Sequence, residues 1–432
     1  MKTISFFREI PVSEQYDVVA VGGGPAGIMA AVAAAREGVS TAIVEQYGFF
    51  GGMATAGMVA PISVFRYNGE LTVGGIPWEF VQRMEQAGGA KVEYPLGNVS
   101  FHPESYKLTA QRMLKESGAA MYVHTRLIDI MQEENRITRI ILQNKSGLFA
   151  LEAKVFIDCT GDGDLAAYAG VPMQECVEEL QPASTYFCIT GVDTSELPLI
   201  HHSQQGINYH MEDLRDVLLE ARNTEDVPEF GGPWMCYMMS DDTVLVNMTR
   251  SKIDVFDEQG AAEVECQLRE DAFRLVEVLR ERVPAFANAY IIETAPQAGI
   301  RETRHIKGVH VLTGEEYVNT VKFEDAIARC NHPIDIHAAK GHIQSSCQFL
   351  KEAAYIPYRS LIAEEFPNLL VACRAFSADR IAFASARVQA GMMGIGQAAG
   401  AAAAQCVDAG CSVQAVDVKK LRERLLAWGA VI

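Results

Sequence analysis

Two groups of residues in this chain have the types and spacing to do chemistry. The first is Gly22-Gly23-Gly24-Pro25-Ala26-Gly27, with Glu45 standing 23 positions after Gly22. In a GxGxxG turn, Gly22 permits the tight turn, Gly24 lets the backbone approach a pyrophosphate, and Gly27 lets the next helix lie close to its strand. The N-terminus of that helix offers N–H groups and the positive end of its dipole to phosphate. A carboxylate about 20 residues further on accepts hydrogen bonds from a ribose and disfavours a 2′-phosphate, hence NADP, in the same site. The second group is dispersed. "GIRETRHIKG", residues 299–308, supplies Arg301, Glu302, Arg304 and His305; "HPIDIH" supplies His332, Asp335 and His337; the closing region supplies Tyr358, Arg359, Arg380 and Arg387. A histidine suits proton transfer near neutrality, and a guanidinium fork suits an anionic or hydroxyl-rich group. His337 and His305 are therefore the expected proton carriers, Arg301 the expected clamp, and Tyr358 a further catalytic candidate. A structural ion-pair lattice between domains is an equally open reading of Arg301.

These residues need elements to hold them. "YDVVAV", residues 16–21, reads as a strand buried on both faces, and the residues after the glycine turn read as a helix reaching Glu37. "STAIVEQ" gives a second strand ending at Glu45. "FHPESYKLTAQRMLKESGAAMYV" predicts a helix starting near Pro103, a stop at Gly118 and a strand, and "NRITRIILQNKSGLFALEAKVFID" predicts a hairpin or meander turning at Lys145-Ser146-Gly147. From residue 177 the pattern changes to alternating runs such as "TVLVNMTR" and a charged helix, "EVECQLREDAFRLVEVLRERVP", that stops at a proline. If "GIRETRHI" is a strand, Arg301, Thr303 and His305 face one side while Glu302 and Arg304 face the other.

The chain has 432 residues and a formal charge of -18, which repels a polyphosphate backbone and points to a small molecule rather than nucleic acid. Its ten cysteines are scattered with no CxxC and no metal-ligand spacing, which implies no metal site and a reducing, cytoplasmic setting. The uncharged run at residues 388–407 is long enough to cross a bilayer, but its Ala, Gly and Gln content predicts a closely packed helix instead. No secretory leader is read at the N-terminus.

Beyond these features, "EQYGFFGGMATAGMVAP" after the second strand resembles the matching segment of FAD-dependent oxidoreductases in the glutathione-reductase-like superfamily. The branch is the heterodisulfide-reductase-A-like and fumarate-reductase-flavoprotein-like one. The likeness extends to "IDCTGDGDLA" at Ile157–Ala166, "GIRETRHIKG" at Gly299–Gly308, the segment Asp325–His337, "YIPYRSLI", and the closing "NLLVACRAFSADRIAFASARVQAGMMGIGQAAGAAAA". The resemblance implies an α/β fold: a Rossmann-like FAD-binding domain with a parallel sheet, built from residues 1–176 and 345–432 and interrupted by an α+β substrate domain at 177–344. It implies FAD held by Gly22, Gly24, Pro25, Ala26, Gly27, Glu45, Gln46, Gly51, Gly52, Met53, Leu127, Thr160, Gly161, Asp162, Arg374, Arg387, Gly391 and Gly394. The adenine is expected at the backbone near Arg126 and Leu127, and Gly391 and Gly394 are the expected close-approach positions of the closing helix. Where the family has Gly-Arg after its last strand, this chain has Cys373-Arg374. The implied activity is hydride transfer between flavin N5 and a small polar organic substrate. Electrons would pass on to an acceptor that the sequence leaves unnamed, in a homo-oligomer, with no membrane partner. A non-catalytic or electron-transfer flavoprotein subunit of a larger complex is the alternative.

Overall fold

The computed structural model describes residues 3–5, 7–175, 180–197, 212–238, 240–252, 256–257, 259–337 and 344–432. The first strand, β1 (Val12–Val21), is longer than "YDVVAV", and its inner half, Val18–Val21, is at most 2% exposed. A strand apolar on both faces must be covered on both, and the chain supplies that cover. After Gly22 comes α1 (Pro25–Arg36), with proline in its first turn, and then β2 (Thr41–Val44). Helix α2 (Pro103–Ser117) starts at the expected proline and ends at Gly118, which takes the left-handed conformation at φ +82°. The strand β3 (Ala120–Tyr122) and the meander β4 (Arg126–Glu133), β5 (Arg136–Asn144) and β6 (Gly147–Asp158) complete this part.

The sheet runs β3-β2-β1-β6-β5-β4. Strand β6 changes partners along its length. Its first half pairs antiparallel with β5, while Ala150–Asp158 lie parallel to β1, ending at Val21 beside Asp158.

A second sheet, wholly antiparallel, is formed by β7 (Tyr186–Thr190), β8 (Phe230–Tyr237), β9 (Val244–Thr249) and β10 (Tyr290–Thr294) in the order β8-β9-β7-β10. Alternation gives it two uses. Phe187, Ile189, Val244 and Val246 share one core with Leu275 and Leu279 of α3 (Gly260–Arg282), whereas Tyr186, Cys188 and Leu245 face the main body. The expected domain edge at 177 lies outside the described residues. The edge at 344 falls later than the point where the second sheet ends, Thr294: the strand Ala326–Cys330 already pairs with Ala354–Pro357 in the main body's core.

The chain returns to the first sheet through β11 (Leu369–Val371), parallel to the end of β6. The loops leaving β1, β6 and β11 therefore emerge side by side at one edge, the crevice where α/β sheets bind ligands. The uncharged run is α4 (Gln389–Ala409), buried against α1. A Cβ on Gly396 or Gly400 would lie 2.1 Å from the Ala26 carbonyl oxygen or 2.2 Å from that of Ala30, so only glycine allows the two helices to touch. Among the described residues no helix is long and apolar enough to cross a membrane.

Candidate active site

A cavity of about 760 Å³ opens at this edge of the first sheet and extends to the inner face of the second. Its first wall is mostly backbone. Gly22, Gly24, Pro25 and Ala26 line it, as do Glu45, Gln46, Gly52, Met53 and Leu127. Gly22 has φ +106°, and a Cβ there would lie 2.2 Å from the Cys159 carbonyl oxygen; a Cβ on Gly27 would lie 1.8 Å from the Gly22 oxygen. Those two glycines serve the fold itself. Gly24 differs: its φ is -74°, open to any residue, and an added Cβ would meet nothing nearer than the Gly52 Cα at 3.9 Å. The protein has no need of glycine at 24, but a ligand lying against the backbone does. The start of α1 has no side-chain cap, so its first N–H groups remain available to phosphate.

Glu45 is 5% exposed; its Oε2 accepts from the Gly23 amide (2.7 Å) and its Oε1 from the Tyr47 amide (2.9 Å). Burial lifts its pKa above the ordinary carboxylate range against those two bonds. Each oxygen keeps a second lone pair for ribose hydroxyls. Gly51 stands behind this wall and off the cavity, its amide donating to the Gly23 carbonyl (2.7 Å).

The "TGDGD" loop forms the next stretch, with Thr160, Gly161 and Asp162 on the cavity. It is organised by Asp158, a residue absent from the expected site. Asp158 is fully buried, and burial raises its pKa to about 6. It accepts from the Thr160 amide (3.0 Å), the Thr160 hydroxyl (2.7 Å) and the Ala166 amide (2.8 Å). Arg374 reaches across from the β11 loop to Asp162 (2.5 Å), and Thr303 and Arg304 also bind Asp162. Burial pushes the thiol of Cys373, next to Arg374, upward.

Besides Gly27 and Gly51, four further expected residues stand off the cavity. Gly391 and Gly394 face the strand Ala326–Cys330: a Cβ on Gly391 would lie 3.3 Å from Cys330 Sγ, and one on Gly394 3.3 Å from Ala328 Cβ. The residues that α4 presents to the cavity are Gln389 and Met392, because helical periodicity turns the two glycines inward. Tyr358 is 3% exposed and donates its hydroxyl to the Val413 carbonyl (2.8 Å), away from the cavity. His305 also lies off the cavity, packed edge-on against Phe383 at 4.4 Å. Residues 299–306 form no strand, and among the described residues they make only the isolated bridges Gly299–Ser184 and Ile306–Met173, so strict alternation fails and both Arg301 and Arg304 reach the cavity.

The second wall is made of side chains from distant segments: Ser184 and Tyr186, Trp234, Asn247, Arg301, the segment His332–His337, and Arg387. His337 Nδ1 lies 3.3 Å from Arg250 Nη2, and its Nε2 lies 2.9 Å from Asp335 Oδ2. A guanidinium can only donate, so Nδ1 accepts and the Nε2–H donates to the carboxylate, which fixes the neutral tautomer. Burial, reinforced by the charges of Arg301 and Arg250 and partly opposed by Asp335, pushes the His337 pKa down to about 3. His337 thus lies on the cavity wall, with a ring that burial keeps neutral near pH 7. Burial opposes ionisation of Asp335, yet His337 and Arg387 hold its carboxyl well below the usual range. His332 also lines the cavity; its Nδ1 donates to the Pro333 carbonyl (2.7 Å), leaving the Nε2 lone pair for the cavity, and burial lowers its pKa.

The arrangement fits FAD. Gly24 leaves space, α1 leaves uncapped amides, Glu45 leaves acceptors, and the buried Nε atoms of Arg374 and Arg387 have no hydrogen-bond partner among the described residues. Among those residues no cluster of His, Cys, Asp or Glu could hold a metal ion.

Comparison with known proteins agrees. Over 198 residues the chain is 23% identical to digeranylgeranylglycerophospholipid reductase 1 of Methanococcoides burtonii, covering 43% of this chain and 47% of that one. Over 47 residues it is 53% identical to dihydrolipoyl dehydrogenase of Trypanosoma brucei brucei, covering 11% and 10%. The chain thus aligns with less than half the length of either relative. The structure of the flavin-dependent brominase Bmp2 shares the fold, with a TM-score of 0.54 at 16% identity over 95% of this chain and 83% of that one. The family model described as FAD dependent oxidoreductase matches residues 17–425, and the chain is a member of that family, an FAD-dependent oxidoreductase.

Proposed function

We propose that this enzyme oxidises or reduces a small polar organic molecule by hydride transfer at the flavin, as a member of the heterodisulfide-reductase-A-like and fumarate-reductase-flavoprotein-like branch. When bound, FAD supplies two-electron exchange at its N5 edge. The protein supplies the rest. Gly22–Ala26, Glu45 and the Thr160–Asp162 loop would hold the dinucleotide, Arg374 and Arg387 would meet its flavin end, and Gln389 and Met392 would back it.

One observation carries the reading: the cavity continues past the dinucleotide cradle onto a buried polar wall that the cradle does not need. On that wall Arg301 would orient the substrate, and His332, with its free Nε2, would hold the proton that moves with the reaction. His337 and Asp335 keep the neighbouring arginines in place. Apolar surface from half-buried Val388 and buried Met392 would exclude water from the reacting carbon. Electrons would leave for an acceptor at the same face, and the enzyme would work as a cytoplasmic homo-oligomer.

The test is an absorbance spectrum of the purified protein, followed by anaerobic titration with polyols, hydroxy acids, amines and NAD(P)H. The expected result is a flavin spectrum bleached by a small polar donor, or a dithionite-reduced flavin reoxidised by a small polar acceptor such as the oxidised counterpart of one of these molecules. A flavin that responds only to a partner protein would overturn the reading in favour of an electron-transfer subunit.

A further inference from the structure

The second wall contains an arrangement that a neutral substrate leaves unexplained. Arg250 Nη1 and Arg301 Nη1 each lie 2.7 Å from the same atom, Ser184 Oγ, and that hydroxyl donates its own hydrogen to the Thr249 carbonyl at 2.7 Å. Two buried guanidinium groups, 5% and 8% exposed as residues, therefore converge on one oxygen. Like charges this close and this dry are costly unless an anion joins them.

The wall offers little neutralisation. Arg387, the third cation, lies 4.0 Å from Asp335 Oδ2, and Asp335 is also held by His337. Glu302 is occupied by the Gln181 amide (3.0 Å) and stands 3.8 Å from Arg380. Among the described residues neither Arg250 nor Arg301 has a carboxylate within 4 Å, and His337 is neutral. Among the described residues Asp335 is thus the one carboxylate within 4.0 Å of any of these three guanidiniums. Arg301 Nη1 is spent on Ser184 and the Pro182 carbonyl, while no protein partner for its Nη2 exists among the described residues, and the side chain lines the cavity.

We propose that the substrate is a small carboxylate-bearing molecule whose carboxylate docks on Arg301, with Arg250 behind it and Arg387 beside it. The inference rests on the oxidoreductase reading above and narrows its substrate class. A planar two-oxygen anion matches the flat donor fork of Arg301, and Tyr186, Trp234 and Met392 offer surface to a short carbon skeleton. Arg250, which Trp234 covers at 5.1 Å and His337 orients, is a positioning residue that sets the charge of the pocket.

The test is calorimetric titration of acetate, succinate, butane-1,4-diol, inorganic phosphate and chloride into the FAD-loaded protein and its apoprotein. Acetate or succinate is expected to bind and the diol not to. Arg301→Met should weaken carboxylate binding about 10- to 100-fold at unchanged FAD occupancy, with Arg301→Lys recovering part of the loss. Removing a buried like charge relieves repulsion, so this variant is expected to fold; Ser184→Ala, which frees both guanidiniums from their shared anchor, should also weaken succinate binding. Equal binding of the diol, tighter binding of phosphate or chloride, or unchanged acetate binding by Arg301→Met would overturn the proposal. So would a variant that binds acetate normally but shifts the flavin's reduction potential, because the charge would then serve the flavin. Carboxylate binding without turnover would leave this inference standing and remove the redox reading; turnover of a neutral polyol without carboxylate binding would do the reverse.

Discussion

The two walls of the cavity are built on opposite principles. The cradle is backbone: Gly24 leaves space, Gly22 and Gly52 permit the close turns around it, α1 aims amides into it, and the fixed carboxylates Glu45 and Asp158 hold loops rather than ligand charge. The second wall is side chain, with Arg301, Arg387, Asp335, His332 and His337 on the cavity and Arg250 behind them, drawn from segments far apart in the chain. A cofactor shared by many enzymes can be held by geometry that any helix N-terminus provides. A substrate that must be distinguished from others needs charges placed individually, at a cost in desolvation. Cofactor binding should therefore fail through lost space, and substrate binding through lost charge.

The largest expected effect separates two glycines in the cradle. Gly27→Ala places a methyl group 1.8 Å from the Gly22 carbonyl oxygen and should destabilise the fold by about 3 kcal/mol or more. Gly24→Ala places its methyl in open cavity, so the apoprotein should keep its wild-type melting temperature while FAD affinity falls about 100-fold. Thermal melts and FAD titrations of the two apoproteins read the difference directly. An apoprotein destabilised equally by both changes would show that the cradle has no ligand-facing position distinct from its fold-facing ones.

On the second wall the sharpest handle is pH. Folded His337 sits near pKa 3, against about 6.5 unfolded, so between those values the unfolded chain binds the extra proton. Stability should fall as pH drops below 6.5, by about 2 kcal/mol at pH 5, from 1.36 kcal/mol per unit. Asp335, also held low, adds to the loss only when pH falls below its ordinary range. His337→Gln keeps an acceptor for Arg250 and a donor for Asp335 but cannot titrate. Its melting temperature should lose less between pH 7 and 5 than that of the wild type, and an identical slope would mean that His337 is not buried in its neutral form.

The contrast also explains what could be read from the sequence. Glycine announces backbone geometry by type, so Gly22–Gly27 and Glu45 located the cradle, and the flanking strands and helix followed from their patterns. Asp158 stood inside a recognised run, but nothing in its spacing distinguishes a buried loop anchor from a turn carboxylate. Arg250 was hidden at the end of "TVLVNMTR". The available signal was that Val244, Val246 and Met248 alternate with Asn247 and Thr249, a polar face that turns out to be buried. His305 and Tyr358 have types that suit catalysis, yet both lie off the cavity, because side-chain direction depends on packing that periodicity does not fix. Gly391 and Gly394 lie off it for another reason: in α4 the glycines whose absence of a side chain matters most, Gly396 and Gly400, serve the contact with α1.

The smallest expected effect tests that last distinction at Tyr358. Its segment, "YIPYRSLI", carries the family likeness, yet its hydroxyl donates to the Val413 carbonyl and contacts no part of either wall. Tyr358→Phe leaves the ring in place and strips the carbonyl of one donor, a loss of about 1 kcal/mol in a buried setting. The variant should melt slightly lower, bind FAD with an unchanged spectrum, bind acetate with wild-type affinity and turn over at the wild-type rate. A change in turnover larger than the stability loss explains would extend the second wall to a residue buried behind it. Unchanged turnover would confine the chemistry to side chains that touch the cavity.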